Sequence, residues 1–209
     1  MEYEILRLVS KNFEKSNQVQ KDVVTFLALN DFQQTARHSG LVAVEAKKLA
    51  LRFGENQESA ANAALLHDIS AVFPNKERIS VAKVLDIIPL PEEEIFPLLI
   101  HQRISEVMAA EIFGITDQKI LSAIGCHTTL KRDATKLDKI LFVADKIRWD
   151  QDDKPPYLEE LLRALEISLD MAALSYLEYM WKRRDNLIVV HPWLREAYEQ
   201  LSQKKEYDA

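Results

Sequence analysis

LLHDIS, at positions 65–70, sets a histidine and an aspartate side by side in a run that otherwise reads as core. Two leucines precede His67 and Asp68, and Ile69 follows them. A buried carboxylate costs several kcal/mol unless something pairs with it. The chain must therefore supply a partner for this dyad or bind one. The dyad sits near the end of an alanine-rich stretch, 57–69, with helical spacing, and the surrounding sequence repeats that pattern in both directions.

Upstream, Leu41, Val42, Ala46, Leu49 and Phe53 keep three-and-four spacing from His38, and Gly54 offers a left-handed stop. Downstream, Ile104, Val107, Met108 and Ile112 mark a helix closed by Gly114. Thr116 is expected to cap the next one, which carries Ile120 and Ile124. Residues 136–149 follow, with Leu137, Ile140, Leu141 and Ala144 on one side. A DDKPPY linker leads to a long amphipathic stretch, 157–182, and Pro192 suits the first turn of a last helix. FPNKE and IIPLPEEE read as loops. NLIVV, 186–190, is β-prone, but with no second strand to pair with it reads as a buried connector. The expectation is an all-α helical bundle, with residues 1–36 as a helical extension packed on a core of residues 37–209.

Composition narrows the function. With 47% hydrophobic residues, 29% charged and no long apolar run, the 209-residue chain reads as one soluble globular domain. A net charge of −6 argues against a grip on polymeric nucleic acid. No phosphate-cradling loop can be drawn through Gly40, Gly54, Gly114 and Gly125. The acidic amino terminus lacks the pattern of a signal peptide, and the lone Cys126 cannot form an internal disulfide, so a cytoplasmic protein without a membrane partner is expected. KKLALRF, 47–53, reads as a solvated helix face, and Trp149, Trp181 and Trp193 as packing anchors.

Four histidines, His38, His67, His101 and His127, lie on or beside the apolar stripes, as do Asp68 and Asp145. Any one of them would pass for an ordinary core residue. Together they are too many costly groups for one interior unless something positive sits among them, which a divalent metal provides. Imidazole and carboxylate without thiolate suit Fe, Mn, Co, Ni or Zn. Adjacent helical positions point about 100° apart, so Asp68 can share its carboxylate between two ions. His38, His67, Asp68 and Asp145 would hold one ion, and Asp68, His101 and His127 a second about 3.5–4 Å away, the spacing at which two metals activate water and clamp a phosphoryl group. Lys131, Arg132, Lys146 and Arg148 are the nearest basic candidates for contacts to such a substrate.

A histidine opening a helix, a His-Asp dyad, two further histidines and a late aspartate resemble the HD-domain metal-dependent phosphohydrolases. More narrowly, LLHDIS, GITDQKILSAIGCHTT, LDKILFVADKI and VVHPWLREAY resemble, in order, motifs of the YqeK-type family of bacterial symmetrical diadenosine tetraphosphate hydrolases. The resemblance runs from about residue 37 to about residue 201. It implies an HD-domain helical bundle with a dinuclear, iron-type metal centre, ligated by His38, His67, Asp68, His101, His127 and Asp145, with His67 and Asp68 at the heart of catalysis. It implies cleavage of the dinucleotide to two ADP, a small nucleotide as partner, and Thr128 and Thr129 near it. His191 and Pro192 match a carboxy-terminal motif without an assigned role. The chain departs from the usual pattern at Ala71, at Leu130 and Lys131, and at residues 146–149, none of them an expected ligand. Alternatives are another nucleotide phosphohydrolase, acting on a nucleoside monophosphate, a deoxynucleotide or a guanosine alarmone, or a weakly active nucleotide-binding metal protein. A homodimer is left open.

Overall fold

The computed structural model describes residues 3–149 and 154–207, all of them helix or connecting loop. Two short helices, α1 (Glu4–Val9) and α2 (Val19–Leu29), precede α3 (Gln33–Phe53). α3 starts ahead of His38 rather than at it. Gly54 closes it at φ 65°, ψ 50°, a left-handed conformation that glycine adopts without steric penalty. α4 (Gln57–Leu66) follows after a tight turn, and Asn56 caps it by accepting from Ser59 N at 2.8 Å. The buried face of α3 is built from Ala36, Ser39, Val42, Ala43, Ala46, Leu49 and Ala50, and that of α4 largely from alanine, so the two helices pack closely along their length.

The dyad leads into a 3₁₀ turn at Ile69–Val72, followed by α5 (Arg78–Val84), α6 (Pro91–Ile95) and α7 (His101–Glu111). α8 (Gln118–Cys126) and α9 (Lys136–Ile147) complete the inner bundle, in which α8 packs on α4, α7 and α9, and α9 on α3. α10 (Leu158–Ile167), α11 (Leu169–Lys182) and α12 (Pro192–Tyr207) cover α9 through α11. Leu66, Ile69, Ile104, Met108, Ile124 and Leu141 are fully buried at the centre. The amino-terminal segment joins this core through Leu6, Val23, Phe26 and Leu27, and Phe26 packs edge-on against Phe113 at 5.6 Å. Residues 36 and 37 both lie inside α3, so the extension and the core share a helix. No helix among the described residues is long and apolar enough to cross a membrane.

Several local expectations are corrected. Asp117, not Thr116, caps α8, its Oδ1 accepting from Lys119 N at 2.9 Å. The stretch 157–182 is two helices, because Ser168 adopts an extended backbone (φ −165°, ψ 165°) and its Oγ accepts from Met171 N at 3.0 Å. FPNKE contains a 3₁₀ turn at Asn75–Glu77, and IIPLPEEE contains α6, whose Glu93 reaches back to accept from Leu90 N at 2.8 Å. NLIVV is a connector but not a buried one, since Ile188 is 68% exposed. Positions 152 and 153 of the DDKPPY linker lie outside the described residues. Trp181 stacks on Tyr198, as a packing anchor should.

Losing an N-cap oxygen costs about 1 kcal/mol. Ser168→Ala should therefore lower stability by about that amount in urea titration while leaving activity unchanged, and Ser168→Gly should cost less.

Candidate metal centre

Five elements deliver the six expected side chains to one place. His67 caps the end of α4 in helical geometry (φ −61°), whereas Asp68 turns out of the helix (φ −113°, ψ 17°). The imidazole is thereby fully buried while the neighbouring carboxylate is about a quarter exposed. His101 opens α7, His127 caps the end of α8, Asp145 lies in the last turn of α9, and His38 comes from the second turn of α3.

Three of the histidines are oriented by the same device. Each points Nδ1 at the carbonyl three residues earlier, His67 to Ala64 at 2.7 Å, His101 to Leu98 at 2.6 Å and His127 to Ile124 at 2.8 Å. A carbonyl only accepts, so Nδ1 carries the proton and donates, and in the neutral ring Nε2 presents a lone pair to the interior. The His101 and His127 Nε2 atoms face each other at 2.9 Å, where two lone pairs repel. Asp68 divides its oxygens between them and His67: Oδ2 is 3.2 Å from His67 Nε2, and Oδ1 is 3.2 Å from His101 Nε2 and 3.5 Å from His127 Nε2. Asp145 Oδ1 lies 3.2 Å from His38 Nε2 and 3.5 Å from His67 Nε2.

These donors fit a divalent cation. His38, His67 and Asp145 form one group, and His67, Asp68 and His127 another, each with its donor atoms within 4.8 Å of one another. A metal with bonds of about 2.1 Å holds adjacent donors about 3 Å apart, close to the spacings found. His67 Nε2 is buried without a partner in hydrogen-bonding geometry, as a ligand atom would be. Cys126 belongs to neither group, and burial pushes its thiol up, away from thiolate character.

Among protein groups alone, the cluster is strongly polarised. Burial opposes charge on His67, but Asp68 and then Asp145 outweigh it and lift its pKa to about 10. Burial dominates at His127 and pushes its pKa down to about 4, against the pull of Asp68. Burial resists ionisation of Asp68 and Asp145 too, yet both stay well below the usual carboxylate range, held there chiefly by His67 and by Lys146 respectively. A positive charge is thus demanded where the two carboxylates converge.

The basic candidates are placed differently from expectation. Lys146 is buried rather than open to a substrate: Nζ donates to Asp145 Oδ2 at 2.7 Å and to the His127 carbonyl at 3.2 Å, and lies 4.9 Å from the centre of the Phe142 ring. Its aliphatic stem lets the ammonium reach inward from a helix face that sequence spacing treats as outer. Arg148 donates through Nε and Nη2 to Glu45 Oε2 at 3.0 and 2.5 Å, tying α9 to α3. Lys131 Nζ donates to Ser122 Oγ at 2.8 Å, and Arg132 is exposed. Among the described residues, none of these last three contacts the cluster. Thr128 does, with Oγ1 3.3 Å from His101 Nε2, whereas Thr129 is buried and donates to the Leu130 carbonyl.

Sequence reasoning missed the supporting residues. Gln102 is fully buried, and its Oε1 accepts from Thr128 N at 3.0 Å and Thr129 N at 3.3 Å, fixing the turn after His127. Ser70 Oγ donates to the His101 carbonyl at 2.8 Å and accepts from Ser105 Oγ at 2.8 Å, joining the dyad's turn to α7. Only adjacency to a ligand could have flagged either. His191 gains a role: its Nδ1 accepts from Trp193 N at 3.2 Å and its Nε2 faces buried Glu93 at 3.6 Å, while Arg103 donates to the other Glu93 oxygen at 2.8 Å. This group fastens α6 and the start of α12 to α7.

Metal uptake should release protons. His67, with its pKa near 10, is protonated at pH 7 and must lose that proton to coordinate, so affinity should fall as pH falls. Calorimetric titration with Mn²⁺ in buffers of different ionisation enthalpy should report release of about one proton; heats independent of buffer would contradict it.

Comparison with known proteins agrees with this geometry. Residues 35–150 match the HD domain family. The symmetrical bis(5'-nucleosyl)-tetraphosphatase of Bacillus subtilis (strain 168) is 30% identical over 138 residues, which cover 66% of this chain and 73% of that protein. A Lactococcus lactis subsp. cremoris relative, known as the uncharacterized protein in the pepC 5' region, is 49% identical over 146 residues, 70% of this chain and 74% of its own. Among solved structures, a predicted HD superfamily hydrolase involved in NAD metabolism from Clostridium acetobutylicum aligns with a TM-score of 0.80 at 24% identity, over 92% of this chain and 100% of that one, a likeness of fold. The family match spans more than half of the sequence and takes in all six clustered side chains, and the chain belongs to the HD-domain family of hydrolases.

Proposed function

We propose that this protein hydrolyses a nucleotide phosphoanhydride at the His/Asp cluster, cutting diadenosine tetraphosphate symmetrically into two ADP. The observation that carries the reading is the divided carboxylate of Asp68, which offers one oxygen to His67's side of the cluster and the other to the His101 and His127 pair. Relatives named as symmetrical tetraphosphatases support the choice of substrate.

In this reading two divalent transition ions are held, iron first, with Mn, Co, Ni or Zn as alternatives. His38, His67 and Asp145 would serve one, His101 and His127 the other, and Asp68 both. When bound, such ions supply electrostatic activation of water and neutralise charge on phosphoryl oxygens. The chain's own groups prepare that chemistry. The Nδ1 contacts of His67, His101 and His127 favour the tautomer that turns Nε2 to the cluster. Lys146 occupies Asp145 Oδ2, so only Oδ1 faces the cluster. Thr128 Oγ1, 3.3 Å from His101 Nε2, would donate to a phosphoryl oxygen. In the overall reaction water adds to one inner phosphorus, the central P–O–P bond breaks, and the oxygen of that bond leaves with the second ADP.

One observation favours a smaller substrate instead. Lys131, Arg132 and Arg148 do not reach the cluster, so a polyphosphate with several charges would meet few cations there, which suits a nucleoside monophosphate or another short phosphate ester. Product chromatography separates the readings, because symmetrical cleavage of diadenosine tetraphosphate yields ADP with neither AMP nor ATP.

Asp68→Ala should lower ADP formation by more than the roughly 10–100-fold typical of outer-shell changes, and full activity in that variant would end the mechanism. Lys146→Met should weaken metal binding by about 10–100-fold, measured by competition with a chelating dye; an unchanged dissociation constant would show that Asp145 needs no such restraint.

A further inference from the structure

A cavity of about 800 Å³ opens at the other end of α9 from the cluster, between the start of that helix, the α10–α11 junction and the end of α12. Lys136 in its lining precedes Asp145 by nine residues of α9, about 14 Å along the axis. The walls are aliphatic, from Ile167, Leu169, Met171, Leu174 and Leu201, and Ile167 stays 73% exposed. Four lysines also line it, Lys136, Lys139, Lys204 and Lys205. In a chain of net charge −6 this is a local reversal of sign. Lys139 and Lys204 converge on Asp170, donating to its two oxygens at 2.5 and 2.7 Å. Lys205 donates to Glu178 at 3.1 Å, and Lys136 to the Phe53 carbonyl at 2.9 Å, which brings no charge. Among the described residues, these contacts set four ammonium groups against two carboxylates. Lys139 is largely buried, its side chain 16% exposed, and a cation so placed gains from every further anion that reaches it.

We propose that this cavity binds an anionic amphiphile, an aliphatic chain ending in a carboxylate or phosphate, with the head among Lys136, Lys139 and Lys204 and the tail along Ile167, Met171 and Leu174. The volume falls within the roughly 300–1,000 Å³ of ligand pockets, and mostly apolar walls with a few charged groups are their usual lining. The body of the ligand is hydrocarbon rather than a nucleobase. No asparagine, glutamine or histidine lines the cavity to match the donors and acceptors of a base edge, Ser168 Oγ is committed to Met171 N, and the Phe53 ring already has the Arg52 guanidinium over it at 5.3 Å. Lysines are flexible point charges, so they can close on either kind of head. Asp170 competes with the head for the same ammonium groups. The site shares no residue with the His/Asp cluster, and the proposal stands apart from the phosphohydrolase reading.

Calorimetric titration of the full chain tests it, with decyl phosphate, octyl phosphate and decanoate below their micelle concentrations, and with inorganic phosphate and octanol as head and tail alone. Decyl phosphate or decanoate should bind, and the tighter of the two identifies the source as a phosphate monoester or a free fatty acid. Removing two methylenes from the tighter one should weaken it by about tenfold. Inorganic phosphate and octanol should each bind more weakly than octyl phosphate. Lys136→Gln combined with Lys204→Gln, both at exposed positions, should lower affinity for the amphiphile by about tenfold and leave octanol unchanged. Asp170→Asn should instead tighten the amphiphile by about two- to fivefold, a gain that a merely structural acid would not give. Failure of both amphiphiles to bind overturns the proposal. So does an unchanged affinity in the double lysine variant, which would put the ligand elsewhere, a loss of affinity in Asp170→Asn, or inorganic phosphate binding as tightly as decyl phosphate.

Discussion

Three imidazoles turn their Nε2 atoms toward the same cluster because each has committed Nδ1 to a carbonyl three residues earlier in the chain. That is the constraint on which the rest of the structure depends. His67, His101 and His127 make the same contact, three residues back, at 2.7, 2.6 and 2.8 Å. The contact is local, spanning three residues of chain, and needs no partner from another helix. Where the helices meet, lone pairs and carboxylates converge in an interior where unsatisfied polar atoms cost several kcal/mol each. Divalent cations held by these groups would relieve that cost, and their binding energy would then contribute to the stability of the bundle.

The packing serves that convergence. Small residues on α3 and α4 bring the helix bearing His38 close to the one ending in His67 and Asp68. The ends of α4 and α8, the start of α7 and the last turn of α9 meet where side chains can point inward without crossing a helix body. Around them lies a ring of supports: Lys146 on Asp145, Gln102 on the turn after His127, and Ser70 with Ser105 between the dyad and α7. Each restrains a group that touches the cluster and leaves that group one free direction.

Much of this was legible in the sequence. The apolar stripes through Val42, Ile104, Ile124 and Leu141 gave the neighbouring histidines and Asp145 an inward direction, although Leu41, read into the same stripe, faces solvent, and Gly54 and Gly114 marked helix ends where glycine's left-handed backbone was needed. Periodicity reports which face of a helix is apolar, and that suffices for short side chains near the axis. It fails for long ones. Lys146 has a four-carbon stem, so its ammonium lies beside Asp145 whatever its position on the helical wheel, and Arg148 reaches across to Glu45 for the same reason. Boundaries fail where two polar residues compete. Thr116 and Asp117 are both good caps, and only the chain path selected Asp117. The break at Ser168 was hidden because the apolar pattern continues across it.

The central claim is that two cations share Asp68. The most direct measurement is an anomalous difference map from crystals of protein purified without chelator, collected above the absorption edge of the bound metal. The account predicts two peaks about 3.5–4 Å apart, one on each side of the Asp68 carboxylate, with His38, His67 and Asp145 around one and His101 and His127 around the other. A single peak, or two peaks that do not flank Asp68, would contradict it.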